Sequence, residues 1–151
     1  MLAFRTILHP TDFSERSRSA FQLACALARD HGGRVIVLHV YPPPVAYGEE
    51  VARRQPKRYD QVLEAELRRL QAPDPRVSVE HRLVEGETAA EIVRLANEAG
   101  CDLIVMGTHG RTGLRRVLMG SVAEEVMRLA PCPVLTVKMP FPTAAPEAPK
   151  S

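Results

Sequence analysis

Phe4-Arg5-Thr6-Ile7-Leu8-His9 and Val35-Ile36-Val37-Leu38-His39-Val40 are two short, nearly continuous apolar runs, and between them Phe21, Ala24, Cys25 and Ala28 recur at three- and four-residue spacing. Runs of this kind read as strands covered on both faces, and the spacing between them reads as a helix with one buried stripe. Gly32-Gly33 closes that helix, because glycine adopts the left-handed conformation that ends helical turns. The unit is therefore strand, helix, strand. Outward from it, Leu103 to Met106 and Val134 to Val137 are further apolar runs, while Val77, Val79, His81 and Leu83 alternate with Ser78, Glu80 and Arg82. That period of two leaves one face in water and predicts an edge strand.

Helical segments fill the intervals. Val62, Leu63, Glu66, Leu67 and Leu70 give a helix over Tyr59 to Leu70, closed by Pro73 and Pro75. Thr88-Ala89-Ala90-Glu91 and Ser121-Val122-Ala123-Glu124 both have the spacing of a capping box, so Thr88 and Ser121 are the expected N-caps. Ile92, Leu95 and Ala99 form the stripe of the first of these helices. Five strands alternating with helices predict an α/β domain with a mainly parallel, doubly wound sheet.

The 151 residues amount to one average domain, placed at 1–139, with a proline-rich tail at 140–151 expected to be disordered. Hydrophobic residues make up 45% and charged residues 25% of the chain, as in globular domains. A net charge of +2, no tryptophan and 5% aromatics argue against a nucleic-acid partner. No apolar run approaches the roughly 20 residues that span a bilayer. Cys25, Cys101 and Cys132 form an odd set without a Cys-x-x-Cys pair, and Met1 to Arg5 lacks a signal-peptide core. A cytoplasmic location is the expectation, with the cysteines as small buried hydrophobes that carry no redox chemistry.

The stretch Met106-Gly107-Thr108-His109-Gly110-Arg111-Thr112-Gly113 leaves a strand, and Gly120-Ser121-Val122 enters a helix. In open α/β sheets ligands sit beyond the carboxyl ends of strands, and a helix N-terminus offers unpaired amides and the positive end of its dipole. Glycines at 107, 110 and 120 would let backbone approach a phosphate and permit positive φ; Ser121 could donate its hydroxyl or serve as an ordinary N-cap. Residues 107–120 carry Arg111, Arg115 and Arg116 and no acid, a local charge of +3. Neither a Walker A loop nor the dinucleotide fingerprint is present, since there is no Gly-Lys-Ser/Thr and the loop does not follow the first strand.

Gly107, two residues, Gly110, nine residues, Gly120 and Ser121 have the spacing by which this chain resembles the ATP-binding branch of the universal stress protein family. The resemblance extends over residues 3 to 138 and includes Ile7-Leu8-His9-Pro10-Thr11-Asp12-Phe13-Ser14, Val37-Leu38-His39-Val40, Asp102 to Thr108 and Ala130-Pro131-Cys132-Pro133-Val134-Leu135. It implies a five-stranded parallel sheet in the order 3-2-1-4-5, in agreement with the edge position of the Val77 strand. It also implies that Asp12, with Pro10 and Thr11 before it, and Val40 meet the adenine end of a nucleotide. Gly107, Gly110, Gly120, Ser121 and Val122, with Met106 and Thr108 beside them, would hold ribose and phosphates. Arg111 is added on its charge alone. The resemblance further implies a homodimer through the last strand.

Asp12 could instead cap the first helix, as could Ser14. His9, His39 and His109 fall near strand ends, but no close-spaced ligand motif accompanies them, so no protein metal site is expected and magnesium would arrive with the phosphates. Arg53, Arg54, Lys57 and Arg58 face solvent or close over phosphates. No set of nucleophile, base and metal-holding residues is legible for phosphoryl transfer. The expectation is an ATP-binding stress or signalling dimer with no or very slow hydrolysis. The alternatives are an adenine-nucleotide hydrolase or adenylate-transferring enzyme, and an interaction module that binds no ATP.

Overall fold

The first strand, β1 (Thr6–Pro10), is the axis of the structure, a computed structural model that describes residues 2–43, 59–108 and 120–138. Ile7, Leu8 and His9 are fully buried, so the strand needs apolar residues on both faces and its sequence cannot alternate. After it come α1 (Glu15–His31), β2 (Arg34–Tyr41), α2 (Tyr59–Arg68), β3 (Ser78–Glu85), α3 (Thr88–Glu98), β4 (Leu103–Gly107), α4 (Ser121–Leu129) and β5 (Val134–Val137). The five strands form one parallel sheet in the order β3-β2-β1-β4-β5. The expected class and strand order hold.

Two cores lie on the two faces. Ile7, Val35, Val37 and Val105 point toward α1 and α2, where they meet Phe21, Ala24 and Leu67. Leu8, Ile36, Leu38, Ile104 and Met106 point toward α3 and α4, where they meet Ile92, Leu95 and Val126. Consecutive residues of one strand thus feed opposite cores, the period of two that a pleated strand imposes. β3 lies at an edge, with Ser78, Arg82 and Glu85 exposed and no residue of the strand fully buried.

Several local expectations are corrected. α3 is capped by Glu87, not Thr88: the Glu87 carboxylate accepts from Ala89 N at 3.2 Å and Ala90 N at 2.7 Å, and Glu91 turns to Arg94 instead. A charged acceptor serving two amides at the positive end of the dipole outcompetes a hydroxyl serving one. α4 has Gly120 at its N-cap with no side-chain cap bond, so Ser121 is its first helical residue. Val62 is 59% exposed while Leu63 and Leu67 are buried, because α2 covers only the margin of the sheet and its apolar stripe is narrower than its sequence spacing.

Where glycine is required, the reason is local. Gly32 has φ 65° and closes α1 through its N–H. A Cβ on Gly33 would meet the carbonyl oxygen of Phe4 and come within 2.7 Å of that of Arg5, so only glycine lets the chain turn under the start of β1. Gly107 and Gly120 do not use positive φ, contrary to expectation. The described residue without that excuse is Phe13, at φ 65° just beyond β1, a conformation uncommon for a bulky side chain.

The 41–58 loop beyond Pro43, with Arg53, Arg54, Lys57 and Arg58, lies outside the described residues, as do His109, Gly110, Arg111, Arg115, Arg116 and the tail from 140. No described helix is long and apolar enough to cross a membrane.

Candidate functional site

Strand order reverses at β1: the chain leaves it toward β2 on one side, and β4 joins it on the other. Two neighbouring crossovers then cover opposite faces, and a crevice opens beyond the strand ends between them. A cavity of about 520 Å³ occupies this place. Pro10, Thr11 and Asp12 enter it from the end of β1, Val40 from β2, and Met106, Gly107 and Thr108 from β4. Gly120, Ser121 and Val122 enter from the start of α4. Ten of the twelve residues expected at the site therefore line one cavity; Gly110 and Arg111 are the two outside the described residues.

Backbone hydrogen bonds hold the two halves together. Thr11 N donates to Leu38 O at 2.8 Å, tying the end of β1 to β2. Gly120 N donates to Thr108 O at 2.6 Å, and Thr108 N donates to Val137 O at 3.2 Å. The start of α4 is thereby fixed against the ends of β4 and β5, although eleven residues separate Thr108 from Gly120.

The chemistry of the walls differs from side to side. Leu38, Val40, Ile92 and Met106 supply an apolar surface. Asp12 supplies the one carboxylate among the described lining residues. Ser14, not Asp12, caps α1, accepting from Ser17 N at 3.2 Å, while Asp12 Oδ1 accepts from Ser14 N at 2.9 Å and from Ser17 Oγ at 2.5 Å. At the opposite wall the amides of the first turn of α4 receive no side-chain cap among the described residues, Gly120 having no side chain to give one. An uncapped helix N-terminus carries unpaired N–H groups and roughly half a positive charge. The cavity thus combines an apolar slot, an acceptor and an anion-binding helix end.

His9 and His39 both fall near strand ends in the sequence, and the structure separates them. The His39 ring lines the cavity, lies 4.5 Å from the Phe13 ring, and shares a hydrogen bond of 2.7 Å between Nδ1 and Thr11 O. The carbonyl can only accept, so Nδ1 is the donor. His9 is instead buried beside Phe21, where Nδ1 donates to Val105 O at 2.9 Å. Burial pushes its pKa down to about 4, against the smaller opposing pulls of the Val105 carbonyl and the Asp12 carboxylate. No group of three or more His, Cys, Asp or Glu among the described residues could hold a metal ion. Cys25 and Cys101 are buried, and burial raises both thiols to about 11; Cys132 is only half-buried and is raised for the same reason.

Sequence reasoning missed Ser17, His39 as a lining residue, and the α3 contribution of Thr88 and Ile92. Ser17 carries a weak signal, standing three residues after the Ser14 cap. Thr88 and Ile92 carry none, because only the crossover brings α3 over this end of the sheet.

The profile of the Universal stress protein family matches residues 3–138. Universal stress protein MJ0531 of Methanocaldococcus jannaschii is 36% identical over 143 residues, covering 91% of this chain and 84% of the relative. The solved structure of MJ0577, a universal stress protein of the same organism, superposes with a TM-score of 0.79 at 32% identity, covering 90% of this chain and 96% of that one. A universal stress protein solved in complex with cAMP superposes with a TM-score of 0.68 at 26% identity, over 90% of this chain and 98% of the other. With the family's sheet order observed and its profile matched over most of the chain, the chain belongs to the universal stress protein family.

Proposed function

We propose that this protein is an adenine-nucleotide-binding signalling module, with ATP as its resident ligand. The observation that carries the reading is the pairing, in one cavity, of Asp12 with an α4 N-terminus that has no side-chain cap among the described residues. The adenine would lie on Leu38, Val40, Ile92 and Met106 with Asp12 accepting from its amino group or from the ribose, and the phosphates would take the amides of Ser121, Val122 and Ala123. A relative in complex with cAMP supports the adenine class.

Magnesium would come with the phosphates, which together with water supply the hard oxygen ligands it requires. The donor set fits that arrangement: hydroxyls of Thr108 and Ser121 stand at the β4 and α4 side, whereas the carboxylate stands on the loop after β1.

Binding with no or very slow turnover is the accompanying reading. Phosphoryl transfer requires a positioned nucleophile or water and a base near the γ-phosphate. The titratable side chains on the described wall are Asp12 and His39, and Asp12 is engaged by Ser14 and Ser17. A homodimer through β5 belongs to the same proposal. β5 is an edge strand, and Leu135 on it and Met127 and Leu129 on α4 are 38%, 46% and 51% exposed, the kind of edge a native protein covers.

Calorimetric titration of nucleotide-free protein with ATP and magnesium, with AMP and GTP in parallel, tests the reading. Saturable ATP binding, weaker GTP binding and less than about one turnover per second are expected. Absence of heat with every adenine nucleotide would leave an interaction module, and rapid product formation would make the protein an enzyme.

A further inference from the structure

Asp12 is held at the cavity by its neighbours, and one of them, Ser17, bonds both its side chain and its main chain. Ser17 Oγ donates to Asp12 Oδ1 at 2.5 Å and accepts from Asp12 N at 3.2 Å. A single hydroxyl thus closes a ring on both the side chain and the main chain of the same residue. Ser17 is 5% exposed and lines the cavity beside Asp12. It sits in the first turn of α1, which Ala20, Phe21 and Ala24 anchor in the core at 0–4% exposure. The loop it restrains passes through Phe13 at φ 65°, stabilised by Phe13 N donating to Thr11 Oγ1 at 3.0 Å.

We infer that Ser17 is a positioning residue of the nucleotide site, which aims the Asp12 carboxylate into the cavity by bonding its Oδ1. The inference rests on the reading that Asp12 faces a bound adenine nucleotide. A carboxylate has free rotation about two side-chain bonds, and a hydrogen-bond donor mounted on a helix removes that freedom before the ligand arrives. Without the Ser17 hydroxyl, Oδ1 keeps its bond from Ser14 N, and that amide precedes α1 rather than standing in its first turn. The carboxylate then loses the bond that ties it to the first turn of α1, and binding is weakened through Asp12 and not through a contact of Ser17 itself.

The test is a double-mutant cycle on the full chain, titrating ATP and magnesium into the nucleotide-free wild type, Ser17→Ala, Asp12→Ala and the double variant, with thermal melting of each. Ser17→Ala is expected to weaken ATP roughly tenfold, the range seen when a group that orients a ligand-binding residue is removed. In the Asp12→Ala background the same change is expected to matter less than about twofold, because coupled residues are not additive. The Asp12 carboxyl ¹³C resonance should move in Ser17→Ala without any nucleotide, reporting the lost bond to Oδ1, while the coupling in ATP affinity separates positioning from a purely structural loss. Ser17→Cys, which keeps the volume with a weak donor, provides a second variant should Ser17→Ala not fold, and it is expected to fall between wild type and alanine. Equal losses in both backgrounds, or wild-type affinity in Ser17→Ala, would overturn the inference while leaving the nucleotide site standing. Failure of the wild type itself to bind ATP would overturn both, and is visible before any substitution is made.

Discussion

The two ends of the parallel sheet are built on opposite plans. At the end where the strands begin, polar groups are closed off by the chain itself: Asp102 Oδ2 accepts from Arg5 N and Thr6 N, each at 2.9 Å, and Gly33 packs against the carbonyls of Phe4 and Arg5. At the end where the strands finish, the chain leaves a cavity, holds Phe13 in a left-handed conformation and starts α4 without a side-chain cap. The same contrast recurs among the helices at this open end. α1 and α3 are capped by Ser14 and Glu87, whereas α4 has Gly120 in that place. A helix end that is not satisfied internally is available to an anion, so the open end is the side where the proposed ligand would bind, and the satisfied end carries stability.

The largest effect expected from this contrast is at the closed end. Gly33→Ala would force a Cβ against two backbone carbonyls and should cost about 3 kcal/mol, the upper part of the range for overpacking. Urea unfolding would measure it, with the ATP affinity of the folded protein unchanged; a stable variant would mean that the close approach at Gly33 is relieved by movement.

Between the two ends, His9 makes stability depend on pH. Its pKa in the native protein is about 4 against 6.5 for the free side chain, so the unfolded chain binds a proton that the folded chain refuses. The stabilisation is complete above pH 6.5 and is lost progressively toward about 4, on the order of 3 kcal/mol in all. Comparing denaturation at pH 7.5 and 4.5 for wild type and His9→Gln should show a shallower slope in the variant. Identical slopes would remove His9 as the cause.

At the open end, Gly120→Asp should weaken ATP at least a hundredfold, about 2.7 kcal/mol, since the new carboxylate would take the amides and repel phosphate. Its melting temperature should stay level or rise slightly, because aspartate is a better N-cap than glycine. Unchanged affinity would break the assignment of the α4 end to phosphate. Glu87→Ala is the converse: loss of about 1 kcal/mol of stability with ATP binding not weakened, as checked by melting and titration. A weakened affinity would show that the α3 end shares in ligand binding.

The smallest effect is expected for Gly107→Ala. The new Cβ would meet Arg16 Cβ at 3.5 Å and Ser17 N at 3.7 Å, ordinary contacts with α1, so stability should change by less than about 0.5 kcal/mol and ATP affinity by less than twofold. A large loss of binding would restore to Gly107 the close-approach role that its spacing suggests.

Much of this was legible before folding. Continuous runs marked the covered strands β1, β2 and β4, and alternation in β3 marked an edge, because burial on two faces or one acts directly on residue choice. The signature glycines and Asp12 pointed to one crevice because strand ends in a parallel sheet come together by topology. Cap identity was less legible: Glu87 and Thr88 are adjacent and both can accept amide bonds, and only the final helical register decides which does.

The sequence by itself determined the class, the edge position of β3 and the end of the sheet where the candidate site lies, since these follow from periodicity and from the order of elements along the chain. The tertiary structure alone decided that Ser17 holds Asp12, that Thr88 and Ile92 wall the cavity and that α3 is capped by Glu87 while α4 has no cap from its own N-cap residue. Such features depend on how distant segments meet in space, and a hydrogen bond or a shared wall leaves no period in the chain that forms it.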